Sequence, residues 1–271
     1  MPVRNVDIEE FGAERGLFKD HPDADRLSGR PWDGTWRRNR DFLRLKDHAL
    51  HLVAPRPGMR VLDLGCANGA QMVMLGLQGA EVAGQDLDAE AIEHANRKLA
   101  TLGIDGRAVV GDASRLQFGD EAFDVVLSSD FHEHFDDDLA RAINREAWRV
   151  LKPGGRYVVK TPNLAYLRVS LTFKRVRGLL RGVDPRSFVI PHTPGTDDPE
   201  HVGLRTRWDL ARTLEEAGFA ELQFSYAPLR RFGARPVVDV LSTEVPVVRD
   251  ALSEDLFCVA RKPIHAAWFP E

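Results

Sequence analysis

The 271-residue chain has only two cysteines, Cys66 and Cys258, far apart in sequence. A secreted protein of this size does not ordinarily depend on one optional bridge, so both are expected as free thiols. No stretch approaches ~18 uninterrupted apolar residues, which excludes a membrane-spanning helix. The opening MPVRNVDIEEFG carries acids where a secretion signal would carry an apolar core, and the cytoplasm is the expected location. Net charge is also nearly absent, at −4, so composition implies no nucleic-acid or polyanion partner. Internal repeats and low-complexity tracts are lacking too. What is present is an ordinary globular balance, 43% hydrophobic and 29% charged, able to bury a sizeable core.

From about residue 60, short runs of Val, Ile, Leu and Phe alternate with longer segments of helical period, the pattern of βαβ units around a parallel sheet. The runs 60–65, 81–86, 107–112, 123–129 and 156–161 read as strands, and two late strands are expected near 221–227 and 255–261. Helices are expected after Gly69, over 88–103 with Asp88 as N-cap and Gly103 as stop, over 138–151 with Leu139, Ile143, Ala147 and Val150 on one face, and over 205–218. Pro153-Gly154-Gly155 reads as a turn.

In open parallel sheets ligands bind beyond the carboxyl ends of the strands, so the residues ending the first four strands are read together. The first ends Asp63-Leu64-Gly65-Cys66-Ala67-Asn68-Gly69, where glycines admit a ligand close to the backbone and the next helix offers free N–H groups. The second ends in Asp86, placed to accept both hydroxyls of a ribose. The third ends Gly111-Asp112-Ala113 and the fourth Ser128-Ser129-Asp130. A dinucleotide loop would be G-x-G-x-x-G, whereas this one is G-x-x-x-G with Asp63 before it. A carboxylate there repels a pyrophosphate and suits a cationic ligand carrying an ammonium group, which points away from NAD.

The ordered set VLDLGCANG, Asp86, GDA at 111–113, FDVVLSS and LKPGGRYVVKTPN resembles the class I S-adenosylmethionine-dependent methyltransferases, over roughly residues 55–262. The resemblance, closest to a branch that includes ubiquinone-biosynthesis O-methyltransferases, implies a Rossmann-like, doubly wound, seven-stranded and mostly parallel sheet with its last strand antiparallel. It implies S-adenosyl-L-methionine as cofactor, with Gly65, Ala67 and Gly69 along the methionine moiety and Asp63 near its amino group. Asp86 would hold the ribose hydroxyls, Asp112 and Ala113 would contact the adenine, and Leu87 and Ser129 would also belong to the cofactor site. The activity implied is methyl transfer to a small-molecule acceptor, most simply a hydroxyl oxygen. An RNA or protein methyltransferase and a non-catalytic binder of the cofactor are the alternatives, since cofactor motifs report binding and not turnover.

Methyl transfer from a sulfonium is an in-line displacement that needs positioning more than acid–base groups. The segment 130-DFHEHFDDD-138 is the richest near the expected sulfonium. In the ubiquinone branch E-x-x-E-H binds a divalent cation. Asp130, Glu133 and His134 are similar, with Asp for the first Glu, and could hold Mg²⁺ or another divalent ion. Alternatively His134 or His132, with Glu133 beside them, serves as a base. His201 is a candidate for the acceptor side, and so is Trp36 in an N-terminal extension, residues 1–54, read as packing helices or a lid. Segments 165–200 and 228–254 read as insertions forming a cap, and 263–271 as a tail. Residues 165–183 hold Arg168, Lys174, Arg175, Arg177 and Arg181 with no acid, beside a broad apolar side. That side either caps the site or gives peripheral contact with an anionic membrane.

Overall fold

A computed structural model describes residues 48–197, 199–226 and 245–264. Its centre is a seven-stranded sheet of β1 (Arg60–Leu64), β2 (Glu81–Asp86), β3 (Gly106–Val110), β4 (Phe123–Ser129), β5 (Leu151–Pro162), β6 (Ala220–Tyr226) and β7 (Asp255–Arg261). The spatial order is β3-β2-β1-β4-β5-β7-β6. The first five strands pair in parallel, and β7 runs antiparallel to both neighbours. This is the doubly wound sheet that the sequence implies. Strand order reverses between β1 and β4, which opens the crevice where such sheets take ligands.

Alternation along the strands divides the core. Val61, Val125, Leu127, Val158 and Phe257 point to one face, and join residues of α1 (Ala70–Gly76), α2 (Ala89–Leu102) and the helical residues 48–53. Leu62, Leu64, Val126, Tyr157, Val159, Leu256 and Cys258 point to the other, against α3 (Asp137–Val150) and α5 (Arg207–Glu216). Both faces are dry, as a parallel sheet covered by helices requires. Cys66 and Cys258 are buried free thiols.

Local chemistry sets the helix ends. The Asp88 carboxylate accepts the N–H groups of Glu90 and Ala91, and Gly103 closes α2 at φ 63°. Thr206 and Asp209 form a reciprocal capping box on α5. Asp136 caps α3, whose buried side is Ala140, Ile143, Asn144, Ala147 and Val150. Leu139, expected in the core, is exposed instead, because the helix is turned so that the Asn144 amide donates to the Thr213 carbonyl on α5. The Pro153-Gly154-Gly155 turn is also revised. Strand β5 runs through it, with a register shift that sets Phe123 against Leu151 and Val125 against Arg156. The extra residues bulge from the ladder, Gly154 at φ 77°.

Asn163 caps α4 (Leu164–Leu179), which packs against α6 (Pro246–Leu252) and the short turn Pro185–Ser187. Gly178 is the one buried position of α4, where a Cβ would strike the Phe188 ring. The apolar side read as a cap contact is open among the described residues: Val169, Phe173, Val176, Leu179, Leu180 and Val183 are all exposed. No described helix is long and apolar enough to cross a membrane. Trp36, most of the 1–54 extension and of the 228–254 insertion, and the 265–271 tail lie outside the described residues.

Candidate functional site

The strand order brings the carboxyl ends of β3, β2, β1 and β4 side by side. Asp63 is buried at the end of β1. Gly65 follows at φ 67°, and a side chain there would overlap the Phe131 ring, so glycine is required on both counts. Ala67 also sits in the left-handed region, at φ 43°. It is held there by its N–H, which donates to Asp86 Oδ2 at 2.9 Å, while Asp86 Oδ1 accepts the Asp88 N–H at 3.0 Å. The Asp86 carboxylate is thus pinned by two backbone N–H groups, each oxygen keeping a lone pair for a hydroxyl. Leu87 beside it is 71% exposed.

One organising residue was missed by sequence reasoning. Gln85, fully buried at the end of β2, donates to the Asp112 carbonyl at 2.7 Å and accepts the Gln117 N–H at 3.1 Å. It fixes the loop after β3, where Asp112 is exposed, its Oδ1 accepting the Ser114 N–H, and Ala113 is buried. The only local signal was a polar residue inside an apolar strand. At the end of β4, Ser128 is buried and Ser129 half-exposed.

Beyond β4 the chain makes a short 3-10 turn, His132–His134. Glu133 is buried and accepts the Thr161 hydroxyl at 3.1 Å. Burial and the Asp130 charge push its carboxyl up to about 7, against the opposing pull of its backbone bond, Lys160 and Thr161. His134 Nδ1 lies 3.1 Å from the Glu200 carbonyl, and its ring meets the His201 ring at 5.2 Å between centroids. The His192 ring meets His201 tilted at 57°, also at 5.2 Å between centroids, and the His201 N–H donates to the His192 carbonyl. Burial, then the neighbouring His134 and His192, holds the His201 imidazole below its ordinary pKa. Donor atoms of Glu133, His134 and His201 all lie within 4.8 Å of one another.

Arg205 makes that meeting possible. Its buried guanidinium donates to the carbonyls of His132, Gly203 and Phe135 and pairs with Asp137. The Gly203 N–H donates to the Glu133 carbonyl at 2.8 Å, and a Cβ on Gly203 would fall 1.7 Å from the Phe135 oxygen. Residues 200–205 are therefore fastened flat against the turn after β4.

Two expectations are corrected here. His132, a candidate base, has no exposed surface. Its Nε2 lies 2.9 Å from the Tyr157 hydroxyl, and burial, with the Arg205 charge, pushes its pKa down to about 3. It faces the core and reaches no acceptor. Asp130, a candidate metal ligand, stays near Glu133 and His201 but is paired with the Lys160 ammonium and outside the group of donor atoms within 4.8 Å of one another; Lys160 is itself buried and also paired to Asp255 at 3.1 Å. Burial alone would lower the Lys160 pKa; Asp255 and Asp130 outweigh it and raise it. The trio Asp130, Glu133 and His134 therefore does not fit a divalent ion as a set.

Comparison with known proteins bears on the family and the fold. Residues 62–159 match the family described as a methyltransferase domain. A demethylmenaquinone methyltransferase of Thermus thermophilus is 35% identical over 54% of this chain and 69% of its own length. The 27-O-demethylrifamycin SV methyltransferase of Amycolatopsis mediterranei is 33% identical over 52% of this chain, and the matched part spans about half, 53%, of that enzyme. The fold is that of a solved methyltransferase of Methanosarcina mazei, with a TM-score of 0.56 at 22% identity, covering 78% of this chain and 95% of that one. The chain belongs to the class I S-adenosylmethionine-dependent methyltransferases.

Removing the Arg205 side chain as Arg205→Met leaves three carbonyls without their donor, while Asp137 keeps Arg212 and Arg141, and should lower unfolding free energy by about 3 kcal/mol in urea titrations. A loss below about 1 kcal/mol would show that the segment is held by other contacts. The His132 shift gives a pH signature. The folded protein keeps His132 neutral while the unfolded chain protonates it near 6.5, so the unfolded state binds more protons as pH falls from about 6.5 toward 3. Stability should fall over that window and be unaffected by this group above it. Urea titrations across pH should show a shallower acid limb for His132→Gln, and an unchanged limb would contradict a buried neutral imidazole.

Proposed function

We propose that the protein transfers a methyl group from S-adenosylmethionine to a hydroxyl oxygen of a small-molecule acceptor. The observation that carries this reading is the row of carboxylates on neighbouring strand ends, Asp63, Asp86 and Asp112, with Glu133, His134 and His201 gathered beyond β4. Buried Asp63 takes the amino group of the methionine moiety, which passes along Gly65, Ala67 and Gly69. Asp86 accepts the ribose hydroxyls. Leu87 and Ala113 offer apolar contact to adenine, whose exocyclic amine donates to Asp112, and Ser129 borders the sulfonium. The acceptor oxygen attacks the methyl carbon in line as the carbon–sulfur bond breaks, leaving neutral S-adenosylhomocysteine. The hydroxyl proton passes to the imidazole side of the site. His134 suits that role, since Nδ1–H directed at the Glu200 carbonyl leaves a lone pair on Nε2. The rifamycin relative, whose name specifies an O-methyl product, supports oxygen as the acceptor atom.

Calorimetry with S-adenosylhomocysteine tests the cofactor half. Wild type should bind, and Asp86→Ala should weaken binding at least about tenfold, the cost of losing charge-assisted bonds to ribose and the anchor of Ala67. Absence of binding by the wild type would overturn the reading. Binding with no methyl transfer to any hydroxylated acceptor would favour a non-catalytic binder.

The surface of α4 supports a second reading, peripheral contact with an anionic bilayer. Exposed Val169, Phe173, Val176 and, at the C-cap, Leu180 follow one another at spacings of four and three, flanked by Arg168, Lys174, Arg175, Arg177 and Arg181. Such a stripe is the amphipathic pattern that lies in a lipid interface. Two copies pairing through it would bring like charges together, which argues against self-association. In flotation assays the wild type should rise with phosphatidylglycerol vesicles and not with neutral phosphatidylcholine, and Phe173→Ser with Leu180→Ser should cut partition by about tenfold. No flotation, or a dimer that the double substitution disperses, would overturn this reading.

A further inference from the structure

We infer that Glu133, His134 and His201 form a binding site for one first-row transition-metal dication, with His201 in the place that sequence spacing gives to Asp130. The inference concerns the acceptor end of the site proposed above and rests on that reading only for its role, not for its existence. Three observations carry it. One donor atom from each residue lies within 4.8 Å of the other two, so small side-chain rotations bring all three onto one ion.

Two of the three ligands already have the supporting bond that metal ligands typically have. The Glu200 carbonyl accepts from His134 Nδ1, which selects the tautomer with its lone pair on Nε2, and the Thr161 hydroxyl donates to the Glu133 carboxylate. His201 is steered by its backbone, through the His201 N–H to the His192 carbonyl and the Gly203 N–H to the Glu133 carbonyl. Finally, the charge of Lys160, which bears on Glu133, is offset by its pairing with both Asp130 and Asp255. That same pairing removes Asp130 from the ligand set.

The donor set decides the metal. Two imidazoles and one carboxylate suit zinc, cobalt, iron or nickel, whereas magnesium prefers oxygen ligands throughout. Glu133 is buried and the two histidines are half-exposed, so the ion would keep an open side. Three protein ligands leave one or more positions for an acceptor oxygen, whose proton affinity the ion would lower when bound; with Nε2 of His134 then engaged, the hydroxyl proton would leave to solvent instead of to that imidazole. A hydroxyl with a second oxygen on the adjacent carbon, able to chelate, is the acceptor class this arrangement favours.

Titration with Co²⁺, read by its visible ligand-field bands, tests the assignment apart from turnover. The wild type should take up one equivalent and hold it against millimolar Mg²⁺. His201→Ala and His134→Ala should each weaken cobalt binding at least tenfold, while Asp130→Asn should change it by less than about threefold. S-adenosylhomocysteine affinity, measured in the same variants, reports whether the fold and the cofactor site are intact. Should a histidine variant fail to fold, X-ray absorption of the cobalt-loaded wild type decides, with two imidazole ligands expected. No cobalt binding by a wild type that binds S-adenosylhomocysteine, a spectrum without imidazole, or equal losses in Asp130→Asn and His201→Ala would overturn the inference and leave the methyltransferase reading standing.

Discussion

One buried cation organises the acceptor half of this protein. The Arg205 guanidinium serves three main-chain carbonyls from two segments and an acid at the start of α3. Hydrogen bonds from a charged donor contribute about 1.5–3 kcal/mol each, and a buried guanidinium without them would be intolerable. The turn after β4 and the segment 200–205 therefore fold against each other or not at all. His201 meets Glu133 and His134 because of this clamp, and Gly203 is glycine because the approach leaves no room for a side chain.

Charge is apportioned with similar economy around it. Lys160 enters the protein on β5 and is neutralised from β4 by Asp130 and from β7 by Asp255. Glu133, one turn from Asp130, feels both the acid and the burial, and its proton affinity rises. His132 lies on the opposite side of the turn, neutral against Tyr157. Four titratable residues within five positions are thus sent to different environments, and only Glu133 and His134 remain at the site with His201. On the cofactor side the logic is reversed: among the described residues Asp86 is held by two backbone N–H groups, which position a carboxylate without neutralising it.

The cofactor half was legible in the sequence because its parts are local. A loop such as Gly65-Cys66-Ala67-Asn68-Gly69 and an acid ending the next strand declare themselves by spacing, and parallel strands place their ends together whatever the helices contain. The acceptor half was not, because its contacts are distant in the chain. That Asp130 belongs to Lys160 follows from β4 pairing with β5, with Ser129 opposite Lys160. That Arg205 belongs to His132 follows from the fold returning through α4 and its loop. The alternation His132-Glu133-His134 gave no sign that a 3-10 turn would bury the first two and leave the third half-exposed. The apolar face of α4 was readable, but its lack of a partner among the described residues was not.

In the proposed arrangement the cofactor and the Glu133–His134–His201 group share one crevice at the reversal of strand order. A crystal structure with S-adenosylhomocysteine tests it most directly. The ribose is expected on Asp86, adenine beside Leu87 and Asp112, the amino group at Asp63, and the sulfur facing Glu133, His134 and His201. A nucleotide seated elsewhere, or a sulfur turned away from those three residues, would contradict it.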